Sequence, residues 1–390
     1  KSLLQMPQST PLEAMAQSGA LSAEETYPDV YYWLWLAAVL GPASPHAGRV
    51  LDAFGDAATA YAARETAQFA ATVTKAVAAR VVGNCLNPAA CADRLADCAA
   101  KEVQLLTFAD PDYPIALARI PDPPLVLYCT GHRSALQSAG MVGMVGTRRP
   151  TAYGASAAAR FGRDFARCGA VIVSGLADGL DGESHRAATT EGAVTIGVMG
   201  TPISKTYPAA NIALRKEMEA LGGLTLSEYP DGFASGKTRG TFLQRNRIIA
   251  ALSDALVVIE AREKSGTMST VAHAERYETP IFAVPGSVFS PMSEGTNLLL
   301  RQGRARMLLQ SGDVLRAIGL SEQAVAQAEP QAPLSPNAQK VLACIGATPT
   351  GVGSIASQSG LAMGAVLGAL TSLELEGRII SLPGRQYRLK

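Results

Sequence analysis

From Met141 onward, short runs of apolar and β-branched residues alternate with glycine-rich turns and amphipathic helical segments. The runs are MVGMVG, AVIVS, VTIGVM, LTLS, ALVVIE and PIFAVP, and they recur at intervals of roughly 25 to 30 residues. Strands that alternate with helices at this spacing form βαβ units, which assemble into a parallel, doubly wound sheet. The pattern therefore predicts an α/β protein whose ligands bind at the carboxyl ends of its strands.

Other domains are predicted on either side of this sheet. Residues 22–105 are rich in Ala and Leu at helical spacing, which indicates a helical domain of the SAM or helix-hairpin-helix type. Its turns carry Arg49 as their one basic residue, so we expect packing or protein contacts there. Residues 106–319 hold the Rossmann-like domain, residues 320–336 have the composition of a linker, and residues 337–390 follow the helix and strand order of a winged helix.

The composition indicates a soluble, folded chain of several domains, because 48% of its residues are hydrophobic and 17% are charged. The apolar stretch from Tyr31 to Leu40 is far shorter than the roughly 20 residues needed to cross a bilayer. We therefore expect a buried helix there and no membrane partner. No secretion signal is visible, and the cytoplasm is the expected location.

Positive charge is concentrated in the sheet region. The net charge is +1, but residues 141–310 hold 19 Lys and Arg against 15 Asp and Glu. Positions 232–253 contain no acidic residue, and they include Lys237, Arg239, Arg245 and Arg247. A nucleic-acid site would therefore be local to this part of the chain.

The six cysteines give no sign of a metal or redox site. No pair has the two-residue spacing of a zinc knuckle or a redox motif, and no histidine lies close in sequence to Cys85, Cys91 or Cys98. We expect reduced thiols that serve as small core residues, with no metal and no cofactor.

The turns after the predicted strands carry small, hydroxyl-bearing and basic residues. In the first, GTRRPTAYG, the backbone N–H groups, the start of a helix and Arg148 would form a phosphate site. The later turns SGLADGLDGESHRAA, GTPISKTYPAAN and EAREKSGT have similar composition. Together they predict an anion-binding rim that is longer than one nucleotide requires, which favours a string of phosphates.

Three other chemistries fit these turns less well. A dinucleotide site would need Gly-x-Gly-x-x-Gly after the first strand, and a Walker loop needs four residues between its glycines, where GFASGKT has three. Asp181 and His185 lie one helical turn apart, a spacing that suits acid–base or metal chemistry but more often braces the start of a helix.

The ordered set of turns resembles one family. VGTRRPTAYG, SGLADGLDGESHRAA, GTPISKTYPAAN, LSEYP, RNRIIAALSDALVVIEAREKSGT, PIFAVPG and GTNLLLRQG are similar to segments of the DNA-processing protein A family, also called DprA or Smf. The resemblance covers about residues 30–390. It implies a homodimer without catalytic activity that binds and protects single-stranded DNA and loads the RecA recombinase onto it in natural transformation or DNA processing.

The resemblance also implies site residues. Arg148 would be the main phosphate anchor. The other expected DNA-binding positions are Gly146, Thr147, Ser174, Gly175, Thr201, Lys205, Tyr207, Asn211, Lys237, Arg245, Asn246, Arg247, Ser265, Gly266 and Thr267. The expected dimer contact lies within Thr296–Leu309 and includes Asn297, Leu299 and Leu300. Ordinary core packing is the alternative for these leucines.

The chain departs from the family pattern at Asp178, Pro202 and Ala209. Relatives usually carry Arg or Lys at the first position, Gly at the second and sometimes a basic residue at the third. An acid at position 178 opposes phosphate binding unless it pairs with Arg149 or Arg186, and Lys205 would then compensate.

Two other functions are compatible with the sequence. Phosphoribohydrolases that release bases from nucleotides share this fold and a GGxGT turn followed by a catalytic Glu. Here KSGTMSTVAHAE lacks the paired glycines, and Glu275 falls too far along. The second alternative is a protein-interaction scaffold with a degenerate pocket.

The third helix of a winged helix usually enters the DNA major groove. In this chain that segment, Ala362 to Glu376, contains no Lys or Arg. We therefore expect the C-terminal domain to mediate protein or interdomain contacts.

Overall fold

The computed structural model describes residues 27–82, 88–233, 238–321, 334–346, 349–375, 378–382 and 385–389. The chain divides into two compact units, with the boundary between Val325 and Ala326. In the described residues, the first unit contains a large sheet with helices around it, and the second contains helices and a small sheet.

The N-terminal helices pack against one edge of the large sheet. They are α1 (Asp29–Leu40), α2 (Ala47–Phe54), α3 (Ala57–Ala62), α4 (Ala67–Thr72), α5 (Lys75–Val82) and α6 (Pro88–Ala100). Trp33, Leu34 and Leu36 of α1 are buried in one apolar cluster with Val126 and Tyr128 of the sheet. The prediction of a buried helix in this apolar stretch is confirmed.

The large sheet has nine strands among the described residues, in the order β1-β2-β6-β5-β4-β3-β7-β8-β9. Its strands are β1 (Gln104–Thr107), β2 (Val126–Gly131), β3 (Met141–Val145), β4 (Val171–Ser174), β5 (Thr195–Met199), β6 (Leu224–Ser227), β7 (Ala255–Val258), β8 (Ile281–Ala283) and β9 (Arg306–Met307). All neighbours from β6 to β9 are parallel, whereas β1 with β2 and β2 with β6 are antiparallel. The predicted mostly parallel, doubly wound sheet is confirmed.

Helices cover both faces of the sheet. Alternate side chains of a strand therefore enter two different cores. In β3, Val142 and Met144 point into one core, and Met141 and Val145 point into the other. The helices of this region are α7 (Ile115–Ala118), α8 (Ala152–Arg167), α9 (Leu180–Thr190), α10 (Ile212–Ala220), α11 (Thr238–Leu252), α12 (Thr267–Arg276), α13 (Glu294–Arg301) and α14 (Gly312–Ala317). Helices α8 and α9 cover the first core, and α11 and α12 cover the second.

The second unit has its own apolar core, which includes Ile355, Val366 and Leu370. Its elements are α15 (Pro336–Ala343), β10 (Thr350–Gly351), α16 (Val352–Ser359), α17 (Met363–Leu375), β11 (Ile379–Leu382) and β12 (Gln386–Leu389). The strands lie in the order β10-β12-β11. This is the predicted winged-helix arrangement.

The third helix of this winged helix exposes apolar side chains. Met363 and Leu367 lie one turn apart on α17 and are 47% and 39% exposed. Such a face suits a protein contact better than a phosphate backbone, which is bound mainly by basic and polar groups. In the described part of the chain no single helix is long and apolar enough to cross a membrane; α16 and α17 meet those criteria only as a pair, bent by 111°.

The structure buries one of the two leucines expected at a dimer contact. Leu299 of α13 is fully buried in the core beneath the sheet, and Leu300 is half-buried. The Asn297 side chain is bound to the chain itself, because its amide accepts from Gly286 N–H at 3.2 Å and donates to Gly286 C=O at 3.1 Å. Leu299 therefore cannot contact a second copy in this fold.

Exposed apolar side chains lie instead on and after the edge strand β9. Met307 is 51% exposed and Leu309 is 62% exposed, whereas Leu308 between them is buried. In the described residues β9 has β8 as its one neighbour. Its outer backbone groups are thus available for pairing.

Candidate functional site

The strand order of the large sheet reverses between β3 and β7. The chain runs from β3 through β4, β5 and β6 in one direction, and from β7 through β8 and β9 in the other. Such a reversal opens a crevice at the carboxyl ends of the strands, where open α/β sheets bind their ligands. We use the term strand-end rim for the residues that follow β3, β4, β5 and β7, namely 146–150, 175–179, 200–208 and 259–266.

Glu260 fixes the first turn of the strand-end rim. This residue is 1% exposed, and its carboxylate accepts hydrogen bonds from Thr151 N–H at 2.9 Å and Thr151 Oγ1 at 2.5 Å. The Glu260 carbonyl accepts from Thr147 N–H at 2.8 Å. A Cβ at Gly154 would collide with the same carboxylate, so only glycine allows α8 to start this close. The turn that carries Arg148 is therefore rigid at both ends.

Two buried side chains of opposite charge, Asp181 and Arg245, join three strand ends. Asp181 accepts hydrogen bonds from the backbone N–H groups of Gly146 and Gly175. Arg245 of α11 donates to the carbonyls of Gly175, at 2.7 Å, and Val198. Burial raises the pKa of Asp181, opposed by the nearby charge of Arg245, and burial lowers the pKa of Arg245 to about 10. These two residues hold the ends of β3, β4 and β5 together.

Arg245, Asn246 and Arg247, which the sequence predicts to line a DNA pocket, are internal in this structure. Arg247 is 1% exposed and forms salt bridges with Glu228 at 2.8 Å and Asp122 at 3.2 Å. Asn246 donates to Gly266 C=O at 3.2 Å and to a serine hydroxyl. Arg245 and Asn246 therefore position the strand-end rim through Gly175 and Gly266, whereas Arg247 joins Asp122 and Glu228 outside it.

Four other expected contacts also bond to the backbone. Their side chains are at most 9% exposed. The hydrogen bonds run from Ser174 Oγ to Met144 C=O, from Thr201 Oγ1 to Lys205 C=O, from Asn211 Nδ2 to Leu176 and Ala177 C=O, and from Thr267 Oγ1 to Gly146 C=O. These residues brace the loops, because irregular backbone leaves carbonyl groups that need donors.

Arg148 lies at the outer side of the strand-end rim, where its side chain is exposed. Its guanidinium carbon is 4.9 Å from the centre of the Phe242 ring, within the range of a cation–π contact. The Phe242 ring is 5.8 Å from that of Tyr207, which is 50% exposed. Phe242 was not among the sequence predictions, although its position three residues before Arg245 on the same helix was a usable signal. The three side chains place a cation beside two aromatic rings.

The remaining predicted contacts vary in exposure. Lys205 and Gly266 are exposed, Gly146 and Thr147 are half-buried, and Gly175 is buried. Ser265 has a buried hydroxyl with no hydrogen-bond partner in the described part of the chain. Lys237 lies outside the described residues.

Asp178 is exposed on the strand-end rim and forms no salt bridge with a described residue. Arg186, which sequence reasoning offered as its partner, instead pairs with Glu183 at 3.4 Å. The negative charge of Asp178 therefore lowers the attraction of this edge for phosphates.

The acid–base candidates are held in structural contacts. His185 is fully buried, its Nδ1 lies 2.7 Å from Thr195 Oγ1, and burial lowers its pKa to about 3, so the ring stays neutral. Glu275 bonds Arg304 through both oxygens, at 2.6 and 2.9 Å, and this contact lowers the pKa of Glu275. Neither side chain is arranged for proton transfer at the strand-end rim.

No three His, Cys, Asp or Glu side chains within the described ranges are arranged to hold a metal ion. Cys91 and Cys98 are buried, and burial raises the pKa of both thiols to about 11. Cys85 lies outside the described residues.

The chain matches two known families along most of its length. Residues 104–319 match the DNA recombination-mediator protein A family, and residues 325–385 match the DprA winged helix domain. The protein Smf of Synechocystis is 35% identical over 324 residues, which cover 74% of this chain and 80% of that protein.

Two solved structures are also similar. The X-ray structure of DNA processing protein A from Streptococcus pneumoniae has 28% sequence identity and a TM-score of 0.62, and the match covers 73% of this chain and 97% of that one. DNA processing protein A from Helicobacter pylori, whose structure is described in terms of its single-stranded DNA binding mode, has 36% identity and a TM-score of 0.49, with coverage of 55% and 95%.

Fold, strand-end rim and winged helix together define a Rossmann-like protein of DNA processing and recombination. The chain belongs to the DNA-processing protein A family, also called DprA or Smf.

The buried charges of the strand-end rim predict a pH-dependent loss of stability on substitution. Arg245→Met removes the larger of the two positive charges that oppose the effect of burial on Asp181, and Arg148 is the other. The pKa of Asp181 in the folded variant then rises further above its unfolded value of about 3.9, so the unfolded chain releases the proton at a lower pH than the folded chain does. Its stability therefore falls as pH rises, so the loss in Tm relative to the parent chain should be larger at pH 8 than at pH 5.

The double variant Arg245→Met/Asp181→Asn is the control, because it removes the titrating group. Its Tm difference from the parent chain should be nearly equal at the two pH values. A single variant whose Tm loss does not depend on pH would contradict the role given to Asp181.

Proposed function

We propose that this protein binds single-stranded DNA along the strand-end rim without cutting it, protects it, and loads a RecA recombinase in natural transformation or DNA processing. The observation that carries the proposal is the exposed Arg148 guanidinium beside the rings of Phe242 and Tyr207. Single-strand binding proteins combine cations, which contact phosphates, with aromatic rings, which stack on unpaired bases. A cytoplasmic location is part of this proposal.

The rigid turn beneath Arg148 supports this proposal. Glu260 and Asp181 fix the backbone on both sides of the arginine, so little backbone entropy is lost when its side chain binds a phosphate. Stacking on Phe242 and Tyr207 needs bases that are not paired in a duplex. Preference for single strands over duplex DNA follows from this requirement.

We also propose that the protein forms a homodimer through the edge strand β9. The support is the exposed backbone edge together with the apolar side chains of Met307 and Leu309. Two copies of one edge strand can pair antiparallel across a two-fold axis, which would extend the sheet and bury these side chains.

Arg148→Ala should weaken binding of an oligothymidylate by about tenfold, because one charge-assisted contact contributes about 1.5 kcal/mol. The slope of log affinity against log salt should fall by about 0.7, the value for one phosphate of a single strand. Fluorescence anisotropy across a salt series measures both quantities.

Arg276→Ala is the matched control for Arg148→Ala. Arg276 is exposed at the far end of α12, about 15 Å along the helix from the strand-end rim. Equal effects of the two substitutions would assign the Arg148 result to general charge and contradict a site at this edge.

Removal of residues 331–390 should leave affinity for single strands within about threefold, because the positive edge lies in the first unit and α17 exposes apolar side chains. The measurement compares the full chain with the truncated one in the same anisotropy assay. A loss of tenfold or more in a folded truncation would show that the winged helix binds DNA.

Leu309→Glu should convert a dimer into a monomer, because it places a charge in the middle of the proposed β9 contact. Light scattering gives the mass. Ile115→Glu is the control, since Ile115 is 69% exposed on α7, which follows β1 in the chain, and β1 is the edge strand opposite β9. A Leu309→Glu protein that is folded and still dimeric would overturn the interface.

A further inference from the structure

The two most exposed large apolar side chains in the described part of the chain lie in one turn. They are Val288, which is 82% exposed, and Phe289, which is 92% exposed. Both belong to the turn after β8, residues 284–293, which we call the β8 turn. A phenylalanine ring that remains almost entirely in solvent has its faces available to a partner. The β8 turn lies outside the strand-end rim, and the proposed function does not use it.

The β8 turn lies at the same edge of the sheet as Arg148. Strands β3, β7 and β8 are parallel neighbours, so their carboxyl ends meet at one edge. Neighbouring strands are about 4.8 Å apart, which places the end of β8 about 10 Å from the end of β3. At the duplex spacing of about 3.4 Å per nucleotide, about three nucleotides cover this distance. A strand bound at Arg148 therefore reaches the β8 turn within a few nucleotides.

Tyr153 connects the turn that carries Arg148 to the β8 turn. It lies in the first turn of α8, and its hydroxyl donates to Pro285 C=O at 2.7 Å. The side chain is nevertheless 51% exposed. A partly exposed aromatic side chain thus joins the strand-end rim to the β8 turn.

Hydrogen bonds fix the backbone of the β8 turn on which Phe289 stands. The Asn297 amide holds both the N–H and the C=O of Gly286, and a Cβ at Gly286 would collide with Ser293 Oγ. The Phe289 N–H donates to Ser287 Oγ at 3.2 Å. Little backbone entropy is therefore lost when a partner covers the ring.

The exposed charges beside the β8 turn favour a polyanion. The exposed charged residues that follow β3 and β7 are four cations and one acid, namely Arg148, Arg149, Arg262, Lys264 and Glu263. The turns after β4 and β5 expose one acid, Asp178, and one lysine, Lys205, so their charges cancel. A polyanion held at Arg148 is therefore attracted toward β7 and β8 more strongly than toward β4 and β5.

We propose that the Phe289 ring stacks on an unpaired base of single-stranded DNA and extends the binding path from the strand-end rim to β8. The inference rests on the proposed function, because it takes a strand held at Arg148 as its starting point. Every base has a π-face, so the contact accepts any sequence. It adds affinity without binding a further phosphate.

Phe289→Ala should weaken oligothymidylate binding by at least about fivefold, the lower end of what one stacked base contributes. The slope of log affinity against log salt should stay at the parent value, because no phosphate contact is lost. The salt-series anisotropy measurement used for Arg148→Ala gives both quantities. Unchanged affinity in a folded Phe289→Ala protein would overturn the proposal.

Val288→Ala is the matched control, since it removes an exposed apolar side chain from the same turn but no ring. It should leave affinity within about twofold of the parent value, because no π-face is lost. Phe289→Leu keeps an apolar side chain and should lose as much affinity as Phe289→Ala, whereas Phe289→Trp should retain it. Equal losses for Val288→Ala and Phe289→Ala would contradict stacking.

Phe289→Trp also reports the contact directly, because a base stacked on an indole ring quenches its fluorescence. The two native tryptophans, Trp33 and Trp35, are buried among the N-terminal helices and give a constant background. We expect quenching with oligothymidylate and none with an abasic strand of equal length. Ile115→Trp, at a position that is 69% exposed on α7, should show no quenching with either strand. Binding of oligothymidylate to Phe289→Trp without quenching would refute the stacking contact.

The same variants separate this inference from the proposed function. If Arg148→Ala weakens oligothymidylate binding and Phe289→Ala does not, the proposed function stands and the inference is wrong. If the parent chain does not bind oligothymidylate, both are wrong. A Phe289→Ala protein with parental DNA affinity but a lower mass by light scattering would assign the ring to a contact between two copies of the chain, which also overturns the inference.

Discussion

The carboxyl edge of the sheet depends on the buried charges of Asp181 and Arg245. The loops there have no regular ladder, so their backbone groups need partners from side chains. Asp181 accepts from the N–H groups after β3 and β4, and Arg245 donates to carbonyls at the ends of β4 and β5. Neutral side chains in their place would form weaker hydrogen bonds with these loops, because a charged donor or acceptor strengthens a hydrogen bond. With the loops fixed from inside, Arg148 is free to face solvent.

The sequence predicted the large features because they follow from periodicity. Apolar runs at regular spacing indicated the parallel strands, and the order of elements after residue 336 indicated the winged helix. The strand-end turns were also located correctly. Their composition, however, could not show which polar side chains face outward. Arg247 has its partners 125 and 19 residues away, at Asp122 and Glu228, and no local pattern records such contacts. Leu299 and Leu300 differ in burial because consecutive residues of a helix point about 100° apart, and only tertiary packing decides which direction faces the core.

Two residues outside the predicted set complete the arrangement. Glu260 ends the run ALVVIE, where a charge after an apolar strand could be taken for a solvent-facing residue, yet it is buried beneath the first turn. Phe242 lies in a basic stretch that drew attention to its charges, and its ring is the surface on which Arg148 rests. Both roles arise when distant segments meet at the switch between β3 and β7. Sequence therefore locates the edge, and tertiary contacts decide the role of each residue on it.

The internal position of Arg245 and Arg247 has a kinetic consequence. Charges that are committed to the protein interior do not hold a polyanion, so in the proposed function a bound strand would contact only a small number of surface cations, and Asp178 would weaken that contact further. Few phosphate contacts mean fast dissociation of individual nucleotides while neighbouring ones stay bound. Under the proposed function, a second protein would cover a strand held in this way gradually, one nucleotide at a time as each is released. Transfer of the strand would then require no separate step of forced release.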